Sequence, residues 1–144
     1  MKSDELISKL DEGRLVEAIA AAERQTSGEI RVCISQRPWD DPLAAARRRF
    51  QELGMQKTAQ RNGVLIFFVP ESRQFAVWGD VGVHEKCGED CWRGIVDDMV
   101  PFLKADRYTD AVVRAIARVG SELARHFPRA SDDRDELPNT IVGD

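Results

Sequence analysis

The chain reads as an α/β domain, a three-layer α/β/α sandwich around a small mixed sheet with a central hairpin. Three observations lead there. Val64–Val69 (VLIFFV) is apolar at every position, as in a strand covered on both faces. Glu29–Ser35 alternates Ile30, Val32 and Ile34 against Arg31, Cys33 and Ser35, a strand with one apolar face. Segments with helical spacing precede, separate and follow these strands, so helices are available for both faces of the sheet.

Residues 3–11 and 14–25 read as helices. Ser3 caps the first, Asp4 and Glu5 suit its positive end, and Gly13 breaks it from the second. In the second, Leu15, Ile19 and Ala22 share a face. Pro38–Pro42 is a turn, and Asp41 before Pro42 pairs an N-cap with a first-turn proline. Leu43, Ala46, Phe50 and Leu53 follow at helical spacing, and Gly54 closes that helix. Arg61-Asn62-Gly63 turns the chain into the apolar run, Pro70–Arg73 reverses it, and Gln74–Trp78 returns as the hairpin's second strand. Gly79–Gly82 reads as a loop. From about Glu85 a helix is expected, with Trp92, Ile95, Val96, Met99 and Leu103 on one face and a kink or irregular end at Pro101. The stripe Tyr108, Ala111, Val112, Ala115, Ile116, Val119 and Leu123 predicts a last helix over 107–127. The domain is therefore placed at 1–127 and a polar tail at 128–144, where Thr140-Ile141-Val142 is the stretch able to dock on a sheet edge.

Composition narrows the function classes. A chain of 144 residues, 42% hydrophobic and 32% charged, is an ordinary single globular domain. Its formal charge of −4 disfavours a phosphate backbone, so no nucleic-acid partner is expected. The longest apolar run falls far short of the ~20 residues of a membrane helix, so no membrane insertion is expected. The first residues lack a secretory pattern, which leads to the expectation of a cytoplasmic protein with Cys33, Cys87 and Cys91 reduced.

Two groups of residues point to metal chemistry. Asp80, Glu85, Glu89 and Asp90 lie at and after the end of a strand, and hard cations such as Ca²⁺ or Mg²⁺ take several oxygen ligands. The competing reading has Glu85, Glu89 and Asp90 simply favouring the positive end of the following helix. His84, Cys87 and Cys91 share a helical face and offer soft donors, although a structural zinc site wants four and the only other histidine is the distant His126. No nucleophile elbow or phosphate-cradling glycine loop is present. Arg47–Arg49 and the row Arg114, Arg118, Arg125 are candidate anion sites, and Trp39 beside Asp40 and Asp41 is a candidate aromatic anchor for a protein partner.

Several strings occur in an order and spacing that resembles the TPM-domain family: Thr26-Ser27-Gly28-Glu29-Ile30, Arg61-Asn62-Gly63-Val64-Leu65-Ile66, Gly79-Asp80-Val81-Gly82-Val83, and Trp92 in the next helix. The resemblance spans roughly residues 14–127 and implies the α/β/α sandwich. For some members it also implies divalent cation binding and weak acid-phosphatase activity. Many members carry Gly-Tyr-Gly-Leu-Glu after the hairpin with an aspartate a few residues on; here Gly79-Asp80-Val81-Gly82-Val83 stands instead, with Glu85, Glu89 and Asp90 as the nearest acidic counterparts. The expectation is an accessory module that binds a cation or a protein partner, with a metal-dependent phosphoric-monoester hydrolase as the alternative.

Overall fold

The computed structural model describes residues 1–129 and 141–143. Two short helices, α1 (Ser3–Lys9) and α2 (Glu12–Glu23), lead into β1 (Glu29–Ile34). Then follow α3 (Pro42–Glu52), the hairpin β2 (Gly63–Val69) and β3 (Gln74–Gly79), the long helices α4 (Val81–Lys104) and α5 (Tyr108–His126), and β4 (Ile141–Gly143). The sheet order is β3-β2-β1-β4. β2 and β4 both run parallel to β1, and β3 runs antiparallel to β2. The hairpin thus supplies one inner strand and one edge.

Alternation along the strands sorts side chains into two cores. Ile30, Val32 and Ile34 of β1, with Val64, Ile66 and Phe68 of β2, face a large core closed by α1, α2, α4 and α5. Cys33, Leu65, Phe67 and Val69 face a smaller core closed by α3 through Ala45, Ala46 and Phe50, with Met55 beside it. This is the expected three-layer arrangement. Every residue of β2 is buried, in agreement with its unbroken apolar run. β1 differs from its one-faced pattern, because α3 buries its polar side too, including Arg31 and Cys33.

Local rules set most boundaries. Asp41 Oδ1 accepts from the N–H groups of Leu43 and Ala44 at 3.1 and 3.2 Å, with Pro42 at the first helical position. Gly54, at φ 72°, ends α3 in the left-handed region.

Two details of α4 depart from expectation. It starts at Val81 rather than near Glu85, because Asp80 caps it. It also runs through Pro101 to Lys104, and its non-helical residue is Gly88, at φ 77° and ψ 173°. Pro101 lies one turn from the helix end and removes a single bond, to the carbonyl of exposed Asp97, so the last turn survives. In the tail, Pro128 bridges to Thr26, and β4 docks on β1 through Ile141–Gly143. The rest of the stretch read as a tail, 130–140 and 144, lies outside the described residues. Among the described residues no helix is long and apolar enough to cross a membrane.

The smaller core rests on one helix, so its central side chain has few substitutes. Phe67→Ala is expected to cost about 3–5 kcal/mol. Leu43→Ala, at a residue 49% exposed on α3, should change stability by less than about 0.5 kcal/mol. Urea unfolding of the two variants checks this, and equal losses would show that the smaller core does not rest on Phe67.

Candidate functional site

Asp80 stands between β3 and α4 as the helix N-cap, and its surroundings explain the string around it. Its Oδ1 accepts from the Val81 N–H at 2.7 Å, which caps the helix. Arg61 grips the same carboxylate with two prongs, Nε to Oδ2 at 2.6 Å and Nη2 to Oδ1 at 2.9 Å. That pairing holds the Arg61 guanidinium above its ordinary range, even though Arg61 is half exposed. Arg61 itself is left-handed at φ 51°, and its carbonyl accepts from Gly82 N–H at 3.0 Å. A Cβ on Gly82 would stand 2.3 Å from the Gln60 carbonyl, and one on Gly79 would stand 2.4 Å from Trp92 Cζ2. Both glycines are there for close packing.

The remaining acidic candidates lie further along α4. Glu85, Glu89 and Asp90 are exposed, and Asp90 Oδ1 sits 3.7 Å from Arg93. Asp80 and Glu89 border a shallow cavity of about 670 Å³ together with His84 and Trp92. The four carboxylates do not close on one point: among the described residues, the one set of three metal-capable groups is Cys87, Glu122 and His126. Topology bears on this as well. Because β3 is antiparallel, its carboxyl end lies beside the amino ends of β1 and β2. Open α/β sheets bind ligands at the carboxyl ends of their parallel strands. The acidic segment is at the other end.

At the carboxyl end of β2 lies a cleft of about 550 Å³. Leu6, Phe68, Phe75, Val100 and Leu103 give it an apolar floor, and Lys9, Arg73 and Lys104 place three cations on its walls against one carboxylate, Asp106. Tyr108 O–H donates to Asp106 Oδ1 at 2.9 Å, which raises the Tyr108 phenol above its ordinary range, and Lys9 Nζ stands 5.6 Å from the Tyr108 ring centre. Arg73 and Asp106 both hold left-handed backbones, at φ 53° and 59°. Such strain in residues other than glycine tends to gather at ligand clamps. These residues come from three separate stretches, 1–9, 68–75 and 100–108, with no motif, so the sequence carries no local signal for the cleft.

The soft donors regroup. His84 is exposed, and His126 takes its place near Cys87, with Glu122 one turn before it on α5. The matching i,i+4 spacing of Cys87/Cys91 and Glu122/His126 was the signal available in the sequence. Burial, then the neighbouring Cys91, pushes the Cys87 thiol up to about 12, and burial raises Cys91 too. Neither is a poised nucleophile.

The other candidates serve the fold. Arg114 and Arg118 converge on Asp98. Arg47 lies over Trp78, and Arg37 and Arg48 lie over Trp39. Trp39 is half-buried, and its indole N–H donates to Ser35 Oγ at 3.0 Å. It is packed, not displayed.

Asp80→Ala should lower stability by roughly 1–2 kcal/mol through loss of the cap, and Asp80→Asn, which can still cap α4, should lose less. Gly82→Ala should cost about 1–3 kcal/mol by overpacking. Chemical denaturation of the three variants checks the ranking; an Asp80→Ala variant as stable as the parent would remove Asp80 from its structural role.

The TPM domain matches over residues 1–122. Among solved structures, the chain is similar to the BA42 protein of the psychrophilic bacterium Bizionia argentinensis. Identity there is 36%, the TM-score is 0.86, and 92% of each chain is covered. It shares its fold with the N-terminal domain of a P. gingivalis protein (21% identity, TM-score 0.60, 82% of this chain and 76% of that one). The same holds for the N-terminal domain of cg2496 from Corynebacterium glutamicum (16% identity, TM-score 0.61, 86% and 77%). No curated protein matches. On the extent of the family match and the geometry above, this chain belongs to the TPM-domain family.

Proposed function

We propose that this TPM domain is a binding module whose binding place is the cleft at the carboxyl end of β2, and that it takes an anionic group carried on an apolar body. The observation that supports this reading is the lining itself. Lys9, Arg73 and Lys104 surround a floor of Leu6, Phe68, Phe75 and Leu103. Cations above an apolar floor suit a ligand that is charged at one end and greasy at the other. No histidine, cysteine, serine or threonine lines the cleft among the described residues. Asp106 is its one carboxylate and already accepts from Tyr108. The one hydroxyl there, on Tyr108, is tied to Asp106 with its phenol pushed up, and a hydrolytic metal needs more ligands than one carboxylate. Binding without chemistry is therefore the favoured reading, and metal-dependent ester hydrolysis is the alternative.

The probe that separates the two is p-nitrophenyl phosphate, an aromatic ring bearing a phosphate. Titration should give saturable amide shifts at Lys9, Phe68, Arg73 and Leu103, with no nitrophenolate released. Arg73→Gly, which keeps the left-handed turn while removing the cation, and Lys104→Gln should each weaken binding by about two- to fivefold. Nitrophenolate release that stops on adding a chelator would establish the hydrolase instead. Shifts confined to residues 79–90, or matching shifts on adding Ca²⁺ or Mg²⁺ alone, would move the site to Asp80, Glu85, Glu89 and Asp90.

A further inference from the structure

We propose that Cys87, Cys91, Glu122 and His126 form a zinc-class metal site that fastens α4 to α5. Cys87 Sγ, a Glu122 carboxylate oxygen and a His126 ring nitrogen lie within 4.8 Å of one another, and all three residues are half-buried. His126 Nε2 is 3.8 Å from Glu122 Oε2. Cys91, four residues along α4 from Cys87 and packed against the same core, lies outside that group of three and is the donor that has to move in to complete the set. Cys87 of α4 and the i,i+4 pair Glu122 and His126 of α5 thus converge, the way facing helices of a bundle build metal sites from inward side chains.

The donor types choose the metal. Two sulfurs, one imidazole and one carboxylate suit zinc and disfavour Ca²⁺ and Mg²⁺, which take oxygen ligands. Tetrahedral zinc with bonds of about 2.0–2.3 Å holds its donors roughly 3.3–3.8 Å apart, so Cys87, Glu122 and His126 close with movements of about 1 Å, and Cys91 moves farther. The chain has a place for that movement. Gly88 interrupts α4 between the two cysteines at φ 77°, and a Cβ there would meet nothing within 4 Å. Glycine at that position answers to the backbone conformation alone, and the break lets the turn carrying Cys87 adjust relative to the turn carrying Cys91. With Cys91 drawn in, four protein donors close the coordination sphere, so the role is structural rather than catalytic. The site lies in the first half of α4 and the last turn of α5, away from the cleft, which takes Val100, Leu103 and Lys104 from the end of α4 and Tyr108 from the start of α5. It therefore stands independently of the binding reading above.

The test uses the full chain, reduced and freed of metal with a chelator. Zn²⁺ is titrated against a chromophoric competitor, and Co²⁺ is added in parallel as a spectroscopic probe. One equivalent of Zn²⁺ should bind, Co²⁺ should show a thiolate charge-transfer band with tetrahedral d–d intensity, and excess Ca²⁺ or Mg²⁺ should not compete. Cys87→Ser and His126→Gln should each weaken Zn²⁺ binding by more than about 100-fold, the upper end of the loss seen when only an outer partner of a ligand is removed. His84→Gln should leave it unchanged. Circular dichroism shows that each variant is folded, and Glu122→Gln serves where His126→Gln is not. No saturable binding overturns the proposal. So do binding that survives Cys87→Ser, loss on His84→Gln with His126→Gln unaffected, and a cobalt spectrum without a thiolate band.

Discussion

The fold depends on one strand that cannot tolerate water on either side. From Gly63 to Val69 every residue of β2 is buried. A strand of that kind needs a partner on each edge and a helix layer on each face. β1 and β3 satisfy its backbone, and the helices divide unequally between its faces. Four helices cover the face presenting Val64, Ile66 and Phe68, while α3 covers the face presenting Leu65, Phe67 and Val69. A lone helix leaves margins, and the margins are filled by Trp39 and Trp78, each partly buried against the smaller core. Arg37, Arg47 and Arg48 lie over those indoles. Their guanidinium carbons lie 4.3, 5.8 and 5.9 Å from the ring centres, so these arginines help wall the outer side of a thin layer.

The strings that carry the family likeness meet at the amino ends of β1 and β2. The hydroxyl of Thr26 donates to the Phe127 carbonyl and accepts from Gly28 N–H at 3.0 Å. Ser27 Oγ accepts from Asn62 Nδ2 at 3.2 Å, Glu29 N–H donates to the Asn62 carbonyl at 3.3 Å, and Asp80 N–H donates to the Gly63 carbonyl at 2.9 Å. Gly28 lies so close to Leu123 that a Cβ would come within 2.9 Å of it. With the Arg61 clamp on Asp80, these bonds hold four segments that are far apart in sequence. They give these strings a structural role, because a buried polar junction of this kind fails if any member is left unpaired.

What the sequence made legible follows the range of the interaction concerned. Asp41-Pro42 and the apolar β2 run act through neighbours within a few residues, and both stand where they were expected. Pro101 and Gly88 show the limit of that method. A proline signals a break by its chemistry, but one near a helix end costs little, whereas Gly88 carries the actual break through a conformation that spacing does not reveal. Asp80 illustrates the second limit. As a carboxylate after a strand it reads as a ligand, until folding brings Arg61 from the preceding turn onto it. The location rule favours the other end of the sheet, since the direction of β3 decides which end the acidic segment occupies. Cys87 and His126 were visible separately, and the packing of α4 on α5 supplied their proximity.

α4 connects the two ends of the molecule, and its middle decides whether events at one end reach the other. Between Cys91 and the cleft residue Leu103, Ile95 and Met99 are fully buried in the larger core. Close-packed segments of that kind transmit strain, but they have no second arrangement unless a neighbouring element can shift. The one irregular residue of α4, Gly88, lies on the cysteine side of this segment, and the cleft's own left-handed residues, Arg73 and Asp106, lie in turns beyond it. Adjustment at either end is therefore absorbed before it reaches the core. A metal drawing Cys87 toward His126 should tighten the contact of α4 with α5 without reshaping the cleft, and a ligand in the cleft should leave the cysteines where they are.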